Sequence, residues 1–248
     1  MISAAQTCDE NTFVYENTSA SGRLLSSAKM LEPNVTNGFD GGRKSAKLDP
    51  TLSLIVVLGL HDRTEWREGQ IRRVTLKQPT DVPDEYYVEG HGTNNGDIAV
   101  LTVNQSIEFN WKVEAVQLPA HVNDDVTDGT ECITAGWGQN EWGVNPRFLH
   151  QATVKVVNEE RCRQRGNKFF DDHVVCGEAL QGSSSCYGDS GGPLICAKRT
   201  GWVLHGITAF LQNRVKNQER GPWQDCSKLP AGFTRVSTYV DWLRARGV

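Results

Sequence analysis

The chain has 248 residues, 38% of them hydrophobic, with a formal net charge of -4 and an isoelectric point near 5.9. That length and apolar content suit one large all-β unit or two small barrels, and the mean hydropathy of -0.46 fits a soluble globular chain. The charge leaves no electrostatic footprint for nucleic acid, and the longest apolar run, LIVVLGL at 54–60, is too short to span a bilayer.

The first ten residues, MISAAQTCDE, have neither a basic n-region nor an apolar h-region, so no signal peptide is expected within this chain. Residues 9–50 are polar and lack periodicity, and 1–50 is read as loop or disorder. From residue 52 the pattern is β. LSLIVVLGL, QIRRVTLKQ, DIAVLTV, ECITAGWG, QATVKVV, HVVCGEA, GPLICAK and WVLHGITAF are short runs rich in Val, Ile and Thr, separated by turn residues. RCRQR at 161–165 reads as a solvated basic face rather than a phosphate site. Only the tail, STYVDWLRARGV, looks helical, with Val240, Trp242 and Leu243 near one face and Ser237 or Thr238 as the cap.

Seven cysteines without C-x-x-C or H-E-x-x-H spacing argue against zinc and for disulfides in an oxidising compartment. Three N-x-S/T sequons, at Asn17, Asn34 and Asn104, are compatible with secretion. An extracellular protein whose N-terminus is incomplete is therefore expected.

CYGDSGGPLIC, from Cys186 to Cys196, sets Ser190 among glycines that free the backbone for a tight anion-binding loop. Gly188 to Gly192 also fits G-x-S-x-G. That elbow needs a helix after the serine and an acid before a downstream His. Here Pro193 opens an apolar run, and His205 follows with no acid between. The elbow is rejected.

The string instead closely resembles the nucleophile loop of chymotrypsin-like serine proteases. VVLGLHD, NNGDIAVLTV, ITAGWG, WVLHGITAF and GFTRVSTYVDWL resemble that family's further segments in the same order, over residues 52–248. The resemblance implies two six-stranded antiparallel β-barrels, the first incomplete, and a C-terminal helix. The expected division is 52–118 for the rest of the first barrel, 119–236 for the second and 237–248 for the helix, within one domain over 1–248. It also implies the pairs Cys132–Cys196, Cys162–Cys176 and Cys186–Cys226, leaving Cys8 unpaired. By the same resemblance Ser190 is the nucleophile, Asp97 the triad acid, and the Gly188 and Ser190 N–H groups the oxyanion hole.

The triad also needs a His as general base and then acid. It belongs in an Ala-Ala-His-Cys segment upstream of VVLGLHD, and His61, His91, His121, His150, His173 and His205 all lie elsewhere. ISAAQTC resembles that segment with Gln6 in the base's slot, and Gln takes no proton at neutral pH. No Ile-Val-Gly-Gly segment supplies the ammonium that pairs with Asp189 in the family. Ala209 replaces the serine that supports the triad acid. Leu60 replaces the first calcium ligand, so neither metal nor cofactor is expected.

For the substrate pocket the resemblance implies Ser184 on the floor, where trypsin-like enzymes carry Asp, and Leu211 and Ala231 on the walls. Such a pocket is uncharged and shallow. The expected function is a serine endopeptidase homologue, inactive for want of its His, that binds a protein or peptide as a monomer. The alternative is a fragment of an active secreted endopeptidase with a small, elastase-like P1 preference.

Overall fold

The structure is a computed structural model that describes residues 4–6, 13–16, 23–26, 55–75, 97–164, 171–211, 226–228, 230–245 and 248. Its strands in chain order are β1 (Ala4–Gln6), β2 (Phe13–Glu16), β3 (Arg23–Ser26), β4 (Ile55–Leu58), β5 (Gln70–Thr75) and β6 (Ala99–Val103). There follow β7 (Glu131–Gly136), β8 (His150–Val157), β9 (Val174–Ala179), β10 (Pro193–Lys198), β11 (Gly201–Leu211) and β12 (Ala231–Arg235). Among the described residues two short α-helices are present, α1 (Glu159–Gln164) and α2 (Val240–Arg244).

The strands close into two antiparallel barrels, ordered β1-β2-β3-β6-β5-β4 and β10-β11-β12-β9-β8-β7. The first is the slighter. Its strands β1, β2 and β3 have 3 or 4 residues each, and β1 meets β4 at one register pair, Gln6 with Val57. These three strands come from a segment read as loop. Strands this short carry no period-2 signal of their own and gain their ladder partners only when the barrel closes.

The burial pattern explains the longer strands. In β12, Ala231 to Thr234 are all buried, because the strand lies between β11 and β9 with packing on both faces. The second barrel is filled by Val154, Val156, Val175, Leu194, Ala231 and Phe233 around Cys132 and Cys196. A second cluster joins the barrels: Val57, Ile98 and Val100 of the first meet Trp137, Ile195 and Ile207 of the second, with Val236, Tyr239 and Leu243 beneath. Burying such a side chain fully contributes about 1.5–3 kcal/mol each relative to exposure.

The three implied disulfides are formed. Cys132–Cys196 joins register partners on β7 and β10, Cys162–Cys176 ties α1 to β9, and Cys186–Cys226 links the loop before β10 to the turn before β12. Their Cα separations are 4.4, 6.4 and 5.5 Å. Cys8 lies outside the described residues.

Both helices differ from the sequence expectation. The tail opens with a 3-10 turn over Val236–Tyr239, so the α-helix starts at Val240 and has no side-chain cap. Thr238 donates its hydroxyl to the Arg235 carbonyl instead of capping, and the Ser237 hydroxyl is buried without a partner. Helix α1 was not expected. Asn158 caps it, accepting the Arg161 N–H at 2.9 Å, and Glu159 and Glu160 sit in its first turn, where the helix dipole favours negative charge. Asn-Glu-Glu ahead of the basic cluster was the legible signal. Arg161 and Arg163 do lie exposed, spent on ion pairs with Glu178 and Glu159.

Candidate active site

Trp137 is 1% exposed and anchors the turn after β7 in the joint between the barrels. The glycines on either side, Gly136 and Gly138, leave room for a carboxylate. A Cβ on either would overlap the Asp189 side chain. Asp189 is buried there. It accepts the Gly138 N–H at 2.7 Å on Oδ1 and the Cys186 N–H at 2.8 Å on Oδ2. Among the described residues no cation pairs with it. Burial pushes its pKa up to about 6, against the pull of those two N–H groups.

Asp189 positions the loop that carries Ser190. The Asp189 carbonyl accepts the Gly192 N–H at 2.8 Å, and two further bonds tie the loop to β11: Gly191 N–H to the Thr208 carbonyl at 2.8 Å and Thr208 N–H to the Gly192 carbonyl at 2.6 Å. Gly188 and Gly191 have φ of 94° and 85°, a left-handed backbone that glycine adopts without strain. Ser190 is half-buried. Among the described residues neither the Gly188 nor the Ser190 N–H donates a hydrogen bond.

Asp97 is 7% exposed and precedes Ile98, which packs with Ile195 and Ile207 in the inter-barrel cluster. Ile98, the residue after Asp97, and Ile207 of β11 thus share one layer of core. Ala209 is buried on β11.

No described histidine bonds to Ser190. His61 is exposed, stacks on Phe148 at 5.4 Å and lends its carbonyl to Leu149 and Trp137. His121 and His150 are exposed, the latter on β8 opposite Gly136. His173 contacts Asp171 at 3.6 Å. His205 is fully buried on β11, at a bulge where the β10 register shifts between Leu194 and Ile195, and neither ring nitrogen has a partner. Burial pushes its pKa down to about 4; the Lys198 charge adds to this and the Asp124 charge opposes it. Sequence reasoning missed this residue's burial. His91 lies outside the described residues.

Gln6 and Asp97 belong to parts of the first barrel that share no ladder. Strand β1 sits between β2 and β4, whereas Asp97 leads into β6, whose neighbours are β3 and β5. The strand beside β6 on that side is β3: its last residue, Ser26, is the register partner of Ala99, two residues past Asp97.

Of the pocket residues, the Ser184 hydroxyl is buried and unpartnered, and its neighbour Ser185 shares a buried 3.0 Å hydrogen bond with Thr134. Ser183, Ser184, Ser185 and Asp189 line one cavity of about 170 Å³. Ala231 is fully buried and is the register partner of Leu211, so the two positions expected to wall the pocket are adjacent on β12 and β11. The Leu211 side chain lies outside the described residues.

A family model described as Trypsin matches residues 50–243. Ovochymase from Halocynthia roretzi is 29% identical over 156 residues, which are 61% of this chain and 9% of that protein. Most of that relative's length thus has no counterpart here. Among solved structures, neuropsin, a serine protease expressed in the limbic system of mouse brain, superposes with a TM-score of 0.71 at 21% identity, covering 99% of this chain and 94% of its own. A mutant of human heparin binding protein superposes with a TM-score of 0.68 at 22% identity, covering 98% and 89%.

Proposed function

The chain belongs to the trypsin family of serine proteases, and from that premise we propose that this member is a non-catalytic homologue that binds a protein or peptide partner outside the cell. The observation that carries the reading is the pairing of β3 with β6. That pairing sets Ser26, the end of β3, opposite Ala99, two residues past Asp97. The next residues are Ser27-Ala28-Lys29-Met30, a string that parallels Ala-Ala-His-Cys with lysine in the histidine's place. Residues 27–30 lie outside the described residues, and their order after Ser26 is the ground for assigning position 29, rather than position 6, to the missing base.

A lysine in that slot does not serve Ser190. An ammonium has three donors and no acceptor, and its ordinary pKa of about 10.4 keeps it protonated at neutral pH. A neighbouring carboxylate such as Asp97 favours the charged form further. Asp189 supports the same conclusion, because the family's mechanism orders the oxyanion loop with an ammonium on this carboxylate.

One observation favours the alternative of an active endopeptidase with a small P1 preference. The N–H groups of Gly188 and Ser190 are both unspent among the described residues, as oxyanion donors must be. One experiment decides. The full chain is produced under oxidising conditions, its disulfides are verified, and it is exposed to a fluorophosphonate probe and to Ala and Val esters. No labelling and no turnover are expected. Lys29→His is expected to restore labelling, lost again in Lys29→His/Ser190→Ala. Labelling of the unaltered chain that disappears in Ser190→Ala would overturn the non-catalytic reading. Labelling of Gln6→His with none of Lys29→His would return the base's slot to position 6.

A further inference from the structure

We propose that Asn104 carries an N-linked glycan. The sequence Asn104-Gln105-Ser106 meets the acceptor rule, with no proline at the middle position. The structure adds what the rule alone lacks. All three residues are exposed, at the tip of the turn that leaves β6, while Val103 and Ile107 on either side pack into the Val56, Leu58 and Val113 core. The tip is therefore held at a fixed place on the surface.

The hydrogen bonds around Asn104 leave its amide nitrogen available. Its backbone N–H donates to the Arg73 carbonyl at 2.9 Å, and its side-chain Oδ1 accepts the Arg73 N–H at 3.0 Å. The Ser106 carbonyl accepts from Arg72 Nε at 3.0 Å. Among the described residues Nδ2 makes no hydrogen bond. A glycan on Nδ2 keeps Oδ1 as an acceptor, so the fold tolerates the modification without losing a contact.

The surface beside it gives the glycan something to cover. Gln70 exchanges two hydrogen bonds with the Glu108 backbone, at 2.6 and 3.0 Å, which lays the segment after Asn104 along β5. On β5 and in the segment after Asn104, Ile71, Phe109 and Trp111 are 38%, 53% and 72% exposed. Exposed apolar side chains invite association, and a bulky polar group nearby opposes it.

The donor is an oligosaccharide on a lipid pyrophosphate. A bond forms between Asn104 Nδ2 and the sugar's anomeric carbon as that carbon's bond to the pyrophosphate oxygen breaks. The lipid pyrophosphate leaves with the electron pair, and one amide proton passes to the transferase. The inference rests on the reading that this chain enters the secretory pathway.

The test is expression of the full chain behind a heterologous secretion signal in a glycosylating eukaryotic cell. Site occupancy is read by peptide mass spectrometry after enzymatic deglycosylation, which converts a linked Asn to Asp. Exported and retained chains are both analysed, so failed export bears on the secretion reading and not on the site. Most chains are expected to carry a glycan at Asn104, lost in Asn104→Gln and in Ser106→Ala and kept in Ser106→Thr. An unmodified Asn104 in both pools, with another sequon of the same chain occupied, would overturn the proposal. So would a modification that persists in Ser106→Ala.

Discussion

Replacing Asp189 with asparagine should change how stability depends on pH, and by a calculable amount. The folded carboxyl titrates near 6 because it is buried, against an ordinary value of 3.8. Between those values the native state keeps a proton that the unfolded chain has released, so stability falls as pH rises through that window. A shift of about two units at about 1.4 kcal/mol each makes the full penalty about 3 kcal/mol, present above pH 6. His205 acts in the opposite sense. Its folded pKa is depressed from 6.5 to about 4, so its stability is complete above 6.5 and lost as pH falls toward 4, again by about 3 kcal/mol. The two slopes overlap and largely cancel in the unaltered chain. Asp189→Asn removes one of them. In urea unfolding followed by tryptophan fluorescence with the disulfides intact, the variant should gain on the unaltered chain by about 3 kcal/mol between about pH 4 and about pH 7.5. A difference independent of pH would refute the reasoning. So would a variant that loses stability as pH rises, since that is the behaviour of a carboxylate paired with a cation.

His205→Phe should do the converse, protecting the chain near pH 5 and exposing the Asp189 slope, as the same unfolding series would show. Gly138→Ala would drive a Cβ into the Asp189 carboxylate; a loss of about 2 kcal/mol or more is expected, read as a lower urea midpoint. Removing the disulfide between Cys132 and Cys196, 64 residues apart, by paired substitution to alanine should cost about 4 kcal/mol on the loop-entropy argument, read as a lower melting temperature. The same pair of substitutions should leave the Cys162–Cys176 and Cys186–Cys226 bonds in place, which peptide mapping under non-reducing conditions would check.

Much of this protein is legible in one dimension. The second barrel's strands announce themselves through Val, Ile and Thr runs bounded by turns, since each strand's burial pattern is set locally by which residues can face a core. The Ser190 loop is legible for a different reason: glycine at 188, 191 and 192 is demanded by backbone conformation and close approach, so the string itself carries the geometry. Tertiary structure decided the rest. Strands β1, β2 and β3 are too short to show a period and exist because β4 and β6 offer them partners. That closure sets β3, and not β1, beside the strand entered from Asp97. Gly-Trp-Gly reads as a family mark in sequence, yet its purpose is to hold a carboxylate 51 positions away. His205 looks like any strand residue until a register shift and the packing around it remove both ring nitrogens from water. In each case the deciding quantity is a contact between distant parts of the chain, which no local pattern of side chains encodes.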